Sequence, residues 1–115
     1  MKITVNTQKL IDTIQASKDR AENSYKKAIV IYKAKMEEYV VYLRNVDGEK
    51  IRAPPSLPRW DKDRYEKSIK TLELHIGPKL VLEDSEYNEI IEGAERHYRF
   101  VEEQTEELAS INYLG

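Results

Sequence analysis

The segment 51–60 reads IRAPPSLPRW. It is the stretch of the chain that most resembles a functional motif. Within it, Arg52, Pro55 and Pro58 fit the pattern R-x-x-P-x-x-P. That is the form of a polyproline peptide that docks into an aromatic-lined groove of a partner. Prolines between two helices also make a rigid, extended joint, because proline cannot continue the first helix. We prefer the joint, since a pattern with three fixed positions arises easily by chance.

A basic and aromatic patch accompanies these prolines. Arg52 and Arg59 lie in the segment with Trp60 beside them, on a chain that is otherwise mildly acidic. Two guanidinium groups can grip a phosphate through paired hydrogen bonds, so one hypothesis is that the patch binds a nucleotide. In the alternative, the loop is solvated and Trp60 packs on Tyr65 as a hydrophobic staple, at the start of a helix capped by Asp61.

Three tyrosines recur at intervals of seven residues and therefore align along one helix: Tyr25, Tyr32 and Tyr39. Aligned rings can stack with the bases of a single-stranded nucleic acid or with a small aromatic ligand. The same spacing is typical of half-buried tyrosines in the seam of a coiled coil or a helical hairpin. We prefer the seam, because an amphipathic stripe usually marks the buried face of a helix.

Other chemistries lack the residues that they need. The chain has no cysteine, and its two histidines, His75 and His97, share no metal-binding spacing. No serine stands in the context of an activated nucleophile, and the four glycines are too scattered for a phosphate-binding loop. The acidic residues between positions 83 and 95 follow one helix instead of converging as calcium ligands do. We therefore predict no catalytic residue, no metal site and no cofactor.

Length and composition bound the remaining possibilities. A chain of 115 residues is long enough for one domain, and its formal net charge of −2 gives no general attraction to nucleic acid or anionic membranes. The longest apolar run, residues 28–32, is far shorter than the roughly 18 residues of a membrane span. The opening residues lack the apolar core of a secretory signal. We expect a cytoplasmic protein that does not enter the membrane.

The elements that must position these residues are mostly helices. After a short alternating strand, apolar residues recur at spacings of three and four without a glycine or proline as far as about position 45. We predict a single domain, 1–115, with these elements: a strand at 2–6, a long helix at about 7–45, a proline joint at 46–60, a helix at 61–76, a strand at 79–83 and a helix at 85–108. The helix at 61–76 is predicted from the stripe Tyr65, Ile69, Leu72 and Ile76. The residues after 108 are predicted to be a frayed tail, with order weakening at Thr105.

Capping residues indicate where the first and third helices begin. Asn6 or Thr7 is predicted to cap the long helix, because a short polar side chain there can accept a hydrogen bond from an unpaired backbone N–H. Asp84 or Ser85 is predicted to cap the third helix in the same way. Gly48 is available for a left-handed turn after the long helix.

The order of these segments follows a recognisable layout. It consists of the opening KITVNTQKLI, a long charged helix, a proline-rich joint, and then YEKSIKTLEL from Tyr65 and LVLEDSEY from Leu80. This layout, over most of the chain, resembles a set of small accessory proteins encoded by tailed bacteriophages. The resemblance implies a phage origin and an accessory role. It implies no activity, and no functional residue is carried over from it.

The expected fold is α-rich α+β: a long N-terminal helix packed with two shorter helices, and a minor two-stranded β-ribbon. The long helix would measure about 55–60 Å at 1.5 Å per residue, which exceeds the diameter of a compact domain of this length. Part of it should therefore project or pair with another chain. We expect a homodimer or larger oligomer formed through the long helix.

The leading functional hypothesis is a non-enzymatic interaction protein. If the phage resemblance holds, it is a modulator or inhibitor of a host protein or defence factor, acting in the host cytoplasm. One alternative is a module that binds a nucleotide or single-stranded nucleic acid through the tyrosines and the arginine patch. A further alternative is a minor assembly protein of the virion. Enzyme activity ranks last.

Overall fold

The computed structural model describes residues 1–48, 50–75 and 77–115 and confirms the α-rich α+β class. Its elements in chain order are β1 Lys2–Asn6, α1 Thr7–Asn45, α2 Lys62–Glu73, β2 Lys79–Glu83 and α3 Asp84–Ser110. The second helix ends at Glu73, earlier than predicted, with Leu74 in the turn that follows. The predicted helical position Ile76 lies outside the described residues.

The two strands form the expected ribbon. They pair antiparallel, with Lys2 opposite Glu83 and Asn6 opposite Lys79. The pairing continues into the first turn of both long helices, where the Asp84 N–H donates to the carbonyl of Met1 at 2.9 Å. Each strand leads directly into a helix, so the ribbon fixes the relative positions of the two helix starts.

Helices α1 and α3 lie side by side and run in the same direction. The Ser17 hydroxyl donates to the carbonyl of Ala94 at 2.9 Å, and further along the Thr105 hydroxyl donates to the carbonyl of Ser24 at 3.2 Å. Contacting residue numbers therefore rise together in the two helices. Thr105, where we predicted weakening order, lies inside α3, which continues to Ser110.

Helix α2 packs across the other two and runs back toward the ribbon. Near its start, the Tyr65 hydroxyl donates to the Ala94 carbonyl on α3 at 2.9 Å and lies 3.1 Å from the Ser17 hydroxyl on α1, so Tyr65 lies against both helices. Apolar side chains from all three helices close the core between them because each helix contributes one buried stripe. The buried core residues are Leu10, Ile14, Ala21, Tyr65, Ile69, Leu72 and Val101.

The helix starts agree with two of the three predicted caps. The Asn6 carboxamide oxygen accepts from the Lys9 N–H at 2.9 Å, and the Asp61 carboxylate accepts from the Arg64 N–H at 3.1 Å. The prediction for the third helix was wrong. Its N-cap is Glu83, with no side-chain capping bond, because the strand pairing already satisfies the first N–H of the helix.

The predicted frayed tail is also wrong. Segment 111–115 lies against the last part of α1, and Tyr113 within it is only 8% exposed. Its hydroxyl donates to the carbonyl of Ala53 at 2.8 Å. We call the end of the molecule formed by residues 39–45, 50–53 and 111–115 the distal end, since it lies opposite the ribbon.

The assembled molecule is a rod with principal extents of 65 × 23 × 17 Å. Its length follows from α1, whose 39 residues span about 58 Å. The C-terminal part of α1 is partly covered, because the joint and segment 111–115 both pack on it.

Candidate protein-binding groove beside the proline joint

The joint lies along the rod with two of its three prolines turned inward. Pro55 and Pro58 are both buried, whereas Ser56 and Leu57 between them are exposed. A polyproline ligand must present its prolines to a partner groove. The buried prolines therefore favour the joint over a docking peptide, and the side chains between and after them are the ones left at the surface.

The six side chains singled out from the sequence do not form one site. Tyr39 and Arg52 lie together at the distal end, and Tyr25, Arg59 and Trp60 lie midway along the rod, with Tyr32 half-buried between the two groups. The joint separates its own two arginines because it runs extended along the helices.

At the distal end, Arg52 is already occupied. Its backbone N–H donates to the Tyr42 hydroxyl at 2.9 Å, and its carbonyl accepts from the Tyr39 hydroxyl at 2.7 Å. Its guanidinium donates to the carbonyl of Asn112 at 2.6 Å and lies 4.7 Å from the ring centre of Tyr113. This arginine serves the fold instead of forming an anion-binding pair with Arg59.

The tyrosines are also engaged within the chain. The ring of Tyr25 lies 6.1 Å from that of Trp60, and the ring of Tyr39 lies 4.9 Å from that of Tyr113. These neighbours come from different segments, so the three tyrosines form no continuous ladder with free faces. Tyr25 packs on the joint and Tyr39 packs on segment 111–115, so both rings have a structural role.

The ring pairing also changes the predicted staple. Trp60 packs on Tyr25 of α1, whereas the Tyr65 ring lies 5.4 Å from His97 inside the molecule. The Tyr65 hydroxyl contacts Ser17 at 3.1 Å. Both aromatics therefore join α2 to the other helices instead of to each other.

Arg59 is held in a different way from Arg52. The side-chain amide of Gln104 on α3 grips its backbone from both sides, accepting from the Arg59 N–H at 3.0 Å and donating to the Arg59 carbonyl at 2.7 Å. Its guanidinium is exposed and takes part in none of the ion pairs between described residues. The backbone is fixed while the charge faces solvent.

A groove runs beside this arginine, between the joint and α3. Its volume is about 380 Å³, and Leu57 and Phe100 on its walls are 61% and 40% exposed. Its lining includes Ser56, Leu57, Arg59, Phe100, Glu107 and Ile111. A second, shallower cleft shares Arg59 and Phe100 and extends toward Trp60 and His97. The apolar walls can receive an apolar side chain, and the Arg59 guanidinium, which pairs with no acidic group among the described residues, can bind a carboxylate next to it.

His97 supports the start of α2 beneath this surface. Its ring is buried, and its Nε2 accepts from the Asp61 N–H at 2.8 Å. Burial first, and then the nearby Arg64 guanidinium, lower the pKa of His97, while the Asp61 carboxylate opposes this shift. The ring is therefore held neutral, with its proton on Nδ1.

The sequence did not identify Gln104 and Phe100, which line the groove beside Arg59, or Tyr113, which contacts Arg52 at the distal end. All three are distant in sequence from the joint, and the order of elements alone does not indicate that the joint lies on α3. The sequence predicted the third helix itself, but not its contact with the joint.

Within the described residues, no three His, Asp or Glu side chains converge as metal ligands would. None of the described helices combines the length and apolar character needed to cross a membrane. No protein-family model, curated protein or solved structure matches the chain.

Proposed function

We propose that the protein is a non-enzymatic interaction protein that binds a protein partner through the groove beside Arg59. The observation that carries this proposal is the exposure of Leu57 and Phe100 next to the Arg59 guanidinium, which makes no ion pair with another described residue and lies on a fixed backbone. Arginine and aromatic side chains are the residue types that dominate the energetics of protein interfaces.

The two hydrogen bonds between the Gln104 side chain and the Arg59 backbone also support the proposal that this groove binds a partner. An interface residue that is already ordered loses less conformational entropy on binding than a mobile one. Two hydrogen bonds fix the backbone at Arg59, so only its side chain remains to be ordered. This favours a binding surface over an incidental loop.

The groove also defines the chemistry of the partner. An apolar side chain fits between Leu57 and Phe100, and a carboxylate beside it pairs with Arg59. Glu107 also lines the groove, and its negative charge would repel a second acidic group of the partner. The partner segment is therefore apolar with a single acidic residue at one end.

The biological setting that we propose rests on the resemblance to phage accessory proteins. In that setting the protein modulates or inhibits a host protein or defence factor in the host cytoplasm. Assembly of a virion is the alternative for the same groove, with a structural phage protein as the partner.

Binding of a nucleotide or single strand has less support. It depended on Arg52 and on the aligned tyrosines, and Arg52 already donates to Asn112 while the Tyr39 ring is covered by Tyr113. A base stacking on Tyr39 would first have to displace Tyr113.

Selection from a random peptide library tests the proposal directly. The immobilised protein should enrich peptides that carry a large apolar residue next to Asp or Glu, and Arg59→Glu protein should not. Arg99→Ala is the matched control, because Arg99 is an exposed arginine on another face of α3 that pairs with Glu95. Equal enrichment by the wild-type and Arg59→Glu proteins would contradict the proposal.

A further inference from the structure

Segment 111–115 lies in an aromatic cradle at the distal end. The cradle, as we use the term, consists of Lys35, Tyr39, Tyr42, Arg52 and Ala53. The Tyr39 hydroxyl donates to the Arg52 carbonyl, and the Tyr42 hydroxyl accepts from the Arg52 N–H. These two bonds join α1 to the joint and do not involve segment 111–115.

The occupant is held by one ring and two backbone carbonyls. The Tyr113 ring stacks on Tyr42, with centres 5.7 Å apart, and its hydroxyl donates to the Ala53 carbonyl at 2.8 Å. Arg52 donates to the carbonyl of Asn112, and Lys35 donates to the carbonyl of Ile111, both at 2.6 Å.

These contacts have the form of peptide recognition. The pocket around the Tyr113 ring gives side-chain specificity. The charged side chains of Arg52 and Lys35 donate hydrogen bonds to the backbone carbonyls of the two preceding residues. The segment has no helix or strand of its own, so its order depends on the cradle.

We propose that the cradle is a peptide-binding site that accepts segment 111–115 from a second copy of the chain as well as from its own. A segment of five residues spans at most about 17 Å. Exchange must therefore bring two distal ends together, and that contact covers side chains that are exposed on one copy, among them Val40, Leu43 and Leu114. The apolar area gained there favours the second copy over an unrelated occupant.

In one chain the tethered segment has a high effective concentration, on the order of millimolar for a short linker. The intact protein is therefore closed on itself when dilute. Exchange between copies becomes appreciable only as the protein concentration approaches that value. The proposal therefore predicts self-association at the distal end, without pairing along the whole of α1.

The first test measures binding of a fluorescent peptide with the sequence of residues 108–115 by anisotropy. A variant lacking residues 111–115, checked for helix content by circular dichroism, should bind it saturably, and the intact protein should bind at least tenfold more weakly. A peptide with Tyr113→Ala should not bind, and one with Tyr113→Phe should bind at intermediate strength. Absence of binding to a folded, shortened variant would overturn the proposal.

A second acceptor keeps the test valid if the shortened variant does not fold. Full-length Tyr113→Ala protein opens the cradle by removing the anchoring ring, and it should bind the same peptide. Adding Arg52→Ala to that protein should weaken binding about tenfold or more, because a charged donor is lost. Failure of folded Tyr113→Ala protein to bind the peptide would equally overturn the proposal.

Sedimentation velocity tests whether a second copy is the occupant. Wild-type protein should pass from monomer to dimer as its concentration rises toward about 1 mM, and Tyr113→Ala should abolish the dimer. A dimer that persists unchanged in Tyr113→Ala, or a monomer at every concentration, would rule out exchange between copies.

Discussion

At the residue scale, Arg52 and Arg59 show how two arginines of one short segment come to play different parts. The guanidinium of Arg52 contacts Asn112 and Tyr113, whereas that of Arg59 makes no ion pair with the described residues and its backbone is held by Gln104. The sequence predicted that both were worth attention, but not which one was occupied. That distinction depends on partners 45–60 positions later in the chain.

His97 was considered only as a possible metal ligand, and its contact with Asp61 gives it a different role. An imidazole that accepts from a backbone N–H must be neutral at Nε2, and burial lowers its pKa below the ordinary value of about 6.5. The unfolded chain then binds a proton at a higher pH than the folded chain does. The contribution of neutral His97 to the free energy of unfolding is fully present above the pKa of His97 in the unfolded chain. It is lost as the pH falls through the lower pKa of His97 in the folded chain.

We therefore predict that wild-type protein loses more stability between pH 7 and pH 5 than His97→Gln protein does. Glutamine keeps an acceptor for the Asp61 N–H but does not titrate in this range, so other acidic and basic groups cancel in the comparison. Thermal unfolding at a series of pH values measures the difference. Parallel curves for the two proteins would show that His97 is not the group responsible.

At the element scale, the helices and strands could be predicted almost entirely from periodicity and caps. The unbroken stripe of α1 and the capping side chains of Asn6 and Asp61 carry that information locally. The start of α3 could not be predicted in this way, since its first N–H is satisfied by the carbonyl of Met1 across the ribbon. The burial of Tyr113 could not be predicted either, because a lone tyrosine after a helix shows no periodic pattern.

The packing of α2 on both long helices depends on one buried hydroxyl. The Tyr65 hydroxyl donates to the Ala94 carbonyl on α3 and lies 3.1 Å from the Ser17 hydroxyl on α1, so it contacts both other helices. We expect Tyr65→Phe to lower the free energy of unfolding by about 1–2 kcal/mol, as for a lost buried hydrogen bond. Chemical denaturation measures this change.

Tyr32→Phe is the matched control for that measurement. Tyr32 is a half-buried tyrosine of α1 whose hydroxyl makes no hydrogen bond to another described residue, so its loss should change stability by less than about 0.5 kcal/mol. Equal effects of the two substitutions would mean that the hydroxyl at position 65 does not stabilise the helix contacts.

At the scale of the whole molecule, the length of α1 sets the shape. The radius of gyration is 19.8 Å, whereas a compact chain of 115 residues is expected to have about 13 Å. The sequence predicted this mismatch from the length of the helix. It did not predict that the joint and segment 111–115 return along α1, because neither has a periodic pattern that indicates where it lies.

Small-angle X-ray scattering of the dilute protein should therefore give a radius of gyration near 20 Å. The measurement is made at several low concentrations, so that any association is removed by extrapolation. A value near 13 Å would mean that the helices fold onto one another in a shorter bundle.

We propose that the groove beside Arg59 binds an acidic, apolar segment of a protein partner. Calorimetric titration of a library-selected peptide against wild-type, Arg59→Glu and Arg99→Ala proteins tests it most directly. We predict at least tenfold weaker binding for Arg59→Glu, because a charge-assisted hydrogen bond contributes about 1.5–3 kcal/mol, and unchanged binding for Arg99→Ala. Equal affinity for the wild-type and Arg59→Glu proteins would contradict the claim.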